Sequence, residues 1–143
     1  MLAYPVDLKK DGKWLVVSFP DVPEGHSNGM GREDALSMAA DALVTAISFY
    51  FDRNQAVPLP SKPKAGQDTV ALPLSVSAKV LLWNEMIRKN VKPAELARRM
   101  GISRQAAQRL TDIRHTTKID TIAKAMEVLG SGVRLVIKTA AAA

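Results

Sequence analysis

The stretch Lys92–Asp112, KPAELARRMGISRQAAQRLTD, decides how the rest of the chain is read. Pro93 suits the first position of a helix, where a missing N–H costs little, and Ala94, Leu96, Ala97 and Met100 give that helix an apolar stripe. Gly101 supplies the conformational freedom to leave it, Ile102 offers an apolar plug for the corner, and Ser103 is a good N-cap for a second helix. The result is helix, tight turn, helix. On the second helix Ala106, Ala107 and Leu110 can pack inward, while Arg104, Gln105, Gln108 and Arg109 project outward. Arginine can grip guanine O6/N7 with two hydrogen bonds and glutamine can do the same to adenine N6/N7, so these side chains suit base readout in the DNA major groove. An ordinary helical hairpin also carries a solvated charged face. The small residues Ala94, Ala97 and Gly101, which permit close helix packing, and the amides interleaved with arginines favour the helix-turn-helix.

Charge distribution supports this. The chain of 143 residues carries +6 overall and is 47% hydrophobic, enough for one folded domain or two small ones. Residues 1–66 hold seven Lys/Arg and eight Asp/Glu, whereas residues 67–143 hold thirteen and six, so the positive charge lies on the half with the base-reading helix. Phosphate attraction is long-ranged and independent of sequence, and a DNA-binding module needs it there. The near-neutral half must serve another purpose. The N-terminus, MLAYPVDLKKDG, lacks the basic and apolar regions of a secretory signal, and no apolar run stands out as long enough for a bilayer, so a cytoplasmic location is expected. Cysteine is absent, which removes disulfides, thiolate nucleophiles and cysteine-based zinc sites, and the two histidines, His26 and His115, are far apart. No metal or cofactor is expected.

Taken in order, Leu2–Lys10 alternates Leu2, Tyr4, Val6 and Leu8 on one face, the period of a half-buried strand. Asp11-Gly12 is a hairpin signal leading into a second strand, Trp14–Phe19, and PDVPEG (20–25) must be a loop before a short edge strand over His26–Gly29. Leu36, Ala39, Leu43, Ala46, Ile47 and Tyr50 recur at helical spacing between Arg32 and Arg53, with Glu33 and Asp34 in the first turn. Val57–Gln67, rich in proline, reads as a linker or extended arm. Thr69–Leu74 is a short strand that could complete the N-terminal sheet or lead into the next domain. Ser77 opens a helix ending near Asn90, whose Val80, Leu82, Trp83, Met86 and Ile87 offer an apolar face to the helix-turn-helix. After the polar loop Ile113–Lys118, a helix over Asp120–Leu129 is stopped by Gly130 and Gly132, and Val133–Ile137 reads as a final strand. The fold class is α+β: a small antiparallel sheet with a long helix (1–66), a linker or connecting strand (67–76), an all-α helix-turn-helix domain with a C-terminal strand (77–138) and a tail (139–143).

Tyr4–Leu8 (YPVDL), Asp11–Gly25 (DGKWLVVSFPDVPEG) and the helix opening Glu33–Leu36 (EDAL) resemble the HicB antitoxin family of bacterial toxin–antitoxin systems, and the C-terminal half resembles the phage-repressor class of helix-turn-helix domains. The resemblance implies a partial ribonuclease-H-like N-terminal domain that masks a small RNA-cleaving toxin, HicA, and a C-terminal domain that represses the shared operon. In the family the toxin has a double-stranded-RNA-binding-like fold with a catalytic histidine, and the antitoxin covers its active surface. Matching the repressor class residue by residue puts Arg104, Gln105 and Arg109 at base-contacting positions with Gln108 beside them, and Arg114, Thr116, Thr117 and Lys118 in the loop that meets the DNA backbone. Ser103 joins the phosphate-contacting set. Pro93 stands where the class commonly has a phosphate-contacting glutamine, and Lys92 can substitute. A ribbon-helix-helix, which other HicB proteins use, would make Thr69–Leu74 the base reader, but that strand lacks Arg, Lys, Asn or Gln and contains Pro73. A free-standing repressor with a ligand-sensing N-terminal domain is the alternative function.

Catalysis is not expected. Asp7, Asp21, Glu24 and Asp41 invite comparison with two-metal nucleases, but that chemistry needs carboxylates converging within about 4 Å of the ions. They fall instead where hairpins and helix starts place solvated carboxylates, and His26 has no acidic orienter nearby in sequence. A single helix-turn-helix reads one half-site, so a homodimer or a dimer of dimers is expected, with Val133–Ile137 pairing against its symmetry mate.

Overall fold

A computed structural model describes residues 1–140; the last residues of the alanine tail lie outside it. The elements run β1 (Ala3–Pro5), β2 (Asp7–Asp11), β3 (Trp14–Ser18), β4 (His26–Gly29), α1 (Arg32–Asp52), β5 (Thr69–Ala71), α2 (Leu74–Arg88), α3 (Pro93–Met100), α4 (Arg104–Leu110) and α5 (Ile119–Val128). The class is α+β, as expected, but the antiparallel strands form two ladders rather than one sheet. β2-β3-β4 is three-stranded and β1-β5 two-stranded. The alternation over Leu2–Lys10 holds only in part, since Pro5 is buried along with Tyr4 and Val6, and the strand changes partner at Val6, whose N–H donates to the Asp68 carbonyl. The hairpin is also shifted by one residue: Asp11 pairs with Trp14, so the turn is Gly12-Lys13, with Gly12 at φ 59°. β5 pairs with β1 in the register Ala3↔Ala71, which assigns the Thr69–Ala71 strand to the N-terminal half.

α1 crosses the three-stranded sheet and buries Ala35, Ala39, Leu43, Ala46, Ile47 and Phe51. Its length and mean hydropathy of 1.2 would suit a membrane span, contrary to the expectation that no such run exists. Its buried apolar residues are instead used in the core beside the sheet, while Met38 and Phe49 stay exposed. The entry to the helix is tight. A Cβ on Gly29 would lie 2.4 Å from the Ala35 nitrogen, so only glycine lets β4 end against the first turn of α1. The proline-rich segment after α1 is irregular but docked. Val57 is buried, its N–H donates to Asn84 Oδ1 (2.7 Å) and its carbonyl accepts from Asn84 Nδ2 (2.9 Å).

α2 begins at Leu74, three residues before the expected Ser77. Ser77 is buried inside the helix, where its hydroxyl accepts from the Leu2 N–H at 3.0 Å. The expected single apolar face of α2 is in fact two. Val80 and Trp83 join the N-terminal core, while Leu82 and Met86 pack with Val91, Leu96, Leu110 and Ile122 in the helical core. Ile113, read as part of a polar loop, is also buried in the N-terminal core. α5 runs one residue earlier than expected, Ile119–Val128. Val133–Ile137 forms no strand in the single chain. Leu135, Val136 and Ile137 are 78%, 63% and 86% exposed, because a ladder needs a second strand and the segment runs beside helices α2 and α5, with no strand paired to it among the described residues.

Trp83 links the two halves in two ways. Its ring stacks on Phe51 at 4.7 Å and 16°, and its Nε1–H donates to the Gln55 carbonyl at 2.7 Å. Trp83→Ala is expected to cost about 3–5 kcal/mol of unfolding free energy, measurable by urea titration followed by far-ultraviolet circular dichroism. A loss under about 1 kcal/mol would mean the stack is dispensable.

Candidate nucleic-acid interface

The helix-turn-helix is built from its caps. Pro93 occupies the first turn of α3, Gly101 closes it in the left-handed conformation (φ 69°, ψ 33°), and the Ser103 hydroxyl accepts from the Ala106 N–H at 3.0 Å. These caps fix a seven-residue α4 whose Ala107 and Leu110 are buried and whose Arg104, Gln105, Gln108 and Arg109 are all exposed. At 3.6 residues per turn these four side chains fall within an arc of about 140°, with the inward residues filling the rest. The proposed base readers therefore share one face.

The arginines of α3 differ. Arg98 Nη2 and Arg99 Nε lie 2.5 and 3.0 Å from Glu95 Oε1, and those two guanidiniums hold the Glu95 carboxyl down at about 2. Arg104, Arg109, Lys92 and Lys118 make no ion pair among the described residues, so α4 and its flanks keep their positive charge available. Lys92 and Lys118 sit at the N-caps of α3 and α5, and Arg104 is the first residue of α4. Cations at the positive ends of helices repel the peptide dipoles, and an incoming anion relieves that repulsion.

The loop residues do not all stand free. Arg114 is exposed, but its Nη2 donates to the Thr45 hydroxyl on α1 at 2.7 Å and its N–H donates to Asp112 Oδ1. Thr116 is exposed. The Thr117 hydroxyl is buried and lacks a hydrogen-bond partner among the described residues.

Two residues of this region escaped the sequence reading. Lys79, only 1% exposed, sends its ammonium from α2 to the carbonyls of Arg109 (2.9 Å), Asp112 (2.8 Å) and His115. Burial pushes its pKa down, partly countered by the nearby Asp112 carboxylate. Lys89, further along α2, donates to the Leu129 carbonyl at the end of α5. A signal was present: Lys79 falls three and seven residues before Leu82 and Met86, on a stripe otherwise apolar.

The N-terminal carboxylates are engaged locally rather than gathered. Asp21 accepts from the Ser61 N–H and hydroxyl, Glu24 from the Tyr50 hydroxyl at 2.7 Å, and Asp7 from Gln67 Nε2. The Tyr50 bond lowers the Glu24 pKa, and burial together with that carboxylate pushes Tyr50 up to about 12. Asp41 lies exposed on α1 and His26 exposed on β4.

Comparison with known proteins agrees with both halves. Residues 3–81 match the family described as HicB_like antitoxin of bacterial toxin-antitoxin system, and residues 81–131 match the Cro/C1-type HTH DNA-binding domain. Antitoxin HicB 1 of Photorhabdus laumondii subsp. laumondii is 45% identical over 139 residues, covering 96% of this chain and 88% of that protein. Antitoxin HicB of Escherichia coli (strain K12) is 40% identical over 95% of this chain and 99% of its own length, and that of Pseudomonas fluorescens (strain Pf0-1) is 35% identical over 98% and 97%. With the hairpin and long helix at one end and a capped helix-turn-helix at the other, the chain belongs to the HicB antitoxin family and carries a Cro/C1-type DNA-binding domain.

Proposed function

We propose that this antitoxin neutralises a small RNA-cleaving toxin of the HicA type through residues 1–66 and represses its own operon through residues 77–138, acting in the cytoplasm as at least a dimer. Residues 67–76 connect the two functions. The carrying observation is the α4 face, where two arginines and two glutamines stand exposed on one arc and free of ion pairs. Arg104, Gln105, Gln108 and Arg109 read bases in the major groove. Lys92, Ser103, Thr116 and Lys118 meet phosphates, Arg114 joins them by leaving Thr45, and Thr117 joins them by turning its buried hydroxyl outward.

Dimerisation follows from half-site geometry. Val133 and Leu135 border an apolar cavity of about 530 Å³, whose walls include Met1, Leu74, Leu81 and Ile119. Leu74, Leu81 and Ile119 are 52%, 43% and 48% exposed. Apolar groups around an extended, unpaired segment suit pairing with a second copy, which supplies both ladder partners and cover.

Three measurements test these assignments. Arg104→Ala and Gln105→Ala should each cost about 1–3 kcal/mol at the cognate duplex with little change on scrambled DNA, whereas Lys118→Ala should weaken both alike; unchanged cognate binding by the first two variants removes them as base readers. Expressed with the product of the adjacent reading frame, the chain should co-purify as a stable complex and relieve that product's toxicity. A chain that elutes alone and leaves the toxicity intact defeats the antitoxin reading. A chain ending at Gly132, which keeps the Ser131 hydroxyl on Glu85, should sediment as a monomer and bind the operator far more weakly while still capturing the toxin. A persistent dimer with undiminished operator affinity would place the seam elsewhere, with α1 the next surface to test.

A further inference from the structure

α4 has only seven residues, so its orientation depends on how its two ends are held. Ser103 holds the first end by a side-chain cap. At the other end the chain leaves through irregular backbone, where carbonyls that neither helix nor strand satisfies must find other donors. The carbonyls of Arg109, Asp112 and His115 converge there on the Lys79 ammonium, and those of Arg109 and Asp112 also accept from the N–H groups of Asp112 (3.3 Å) and His115 (3.1 Å). A protonated lysine has three N–H donors, so the site uses all of them, and the positive charge sits at the negative end of the α4 dipole.

We infer that Lys79 is a positioning residue for base readout: by tying Arg109, Asp112 and His115 to α2, its ammonium fixes the tilt of α4 and hence where Arg104, Gln105, Gln108 and Arg109 meet the groove. The inference rests on the DNA-reading assignment of α4. Two observations separate the role from general packing. The bonded carbonyl at the helix end belongs to Arg109, itself one of the proposed readers, so displacement of that backbone displaces a reading side chain directly. The end of the same helix also provides a comparison, because Lys89, the C-cap of α2, donates to one carbonyl, that of Leu129 at the end of α5, and pairs with Glu85 at 3.3 Å, and α5 bears none of the proposed base readers. A neutral amine has only two N–H donors and could not hold all three carbonyls at once.

The experiment uses the full chain and a duplex that the wild-type protein selects from a random-sequence pool, with a scrambled duplex of equal length as reference. Wild-type protein, Lys79→Met and Lys89→Met are compared at a temperature where circular dichroism shows all three folded. Lys79→Met is expected to lose about tenfold or more in the ratio of selected to scrambled affinity, the range that misplacing a single bidentate base contact would cause. Lys89→Met should keep the wild-type ratio even if its Tm falls as far. If Lys79→Met does not fold, Lys79→Arg decides, since it keeps the charge and donors but moves them outward along a longer side chain: a lowered ratio in the folded variant supports the inference. A wild-type ratio in folded Lys79→Met, or in Lys79→Arg where that variant is the arbiter, overturns it. An equal loss in Lys89→Met also overturns it, because any weakened helix end would then suffice. Failure of the wild-type chain to enrich any sequence would instead defeat the DNA-reading assignment itself.

Discussion

The structure depends on one helix serving as a wall of two cores. α2 turns Val80 and Trp83 toward the sheet and α1, and Leu82 and Met86 toward the helix-turn-helix. Removing either set would leave one core open, and each small half has too little apolar surface to tolerate that loss. The start of α2 at Leu74 follows from the same constraint. Beginning three residues before Ser77 brings that hydroxyl against the Leu2 backbone and binds the helix to the first residues of the chain. Lys79 then occupies a position on this helix from which its ammonium reaches the end of α4.

Electrostatics divide the helices by role. Glu95 pairs with both Arg98 and Arg99 on α3, and Glu85 binds both Arg88 and Lys89 at the end of α2, where the Arg88 guanidinium and the Ser131 hydroxyl hold its carboxyl near 2. α4 carries no acidic residue at all. Such exposed pairs add little stability, so their main effect is on the field: each carboxylate offsets part of the positive charge on α2 and α3, while that on α4 is not offset.

The parts of this arrangement legible in the sequence were those written locally. Pro93, Gly101 and Ser103 announce caps whose geometry involves only neighbouring residues, and the helix-turn-helix boundaries follow from them. The long helix Arg32–Asp52 was legible for the same reason, since a period of 3.6 is a property of one segment. What could not be read were choices between distant partners. The change of ladder at Val6 requires Asp68, sixty-two residues away, and the burial of Ile113 requires a neighbouring core that its polar surroundings in sequence do not suggest. Lys79 belongs to this second group: charge on an apolar stripe marks an exception, but only the folded loop identifies its three acceptors.

The contacts between the halves are directional as well as apolar, and that difference has a physical consequence. Apolar contact alone would let two surfaces slide, because dispersion is nearly indifferent to small rotations. Asn84 prevents this by presenting both an acceptor and a donor to the backbone of Val57, as a neighbouring strand would, while the Trp83 indole N–H is fixed on Gln55 and Arg114 reaches Thr45. Each bond specifies a direction, and together they span both ends of α1's contact with the helical half. A partner seated on the N-terminal half and a duplex against α4 would therefore be held in a set orientation to one another by the protein between them.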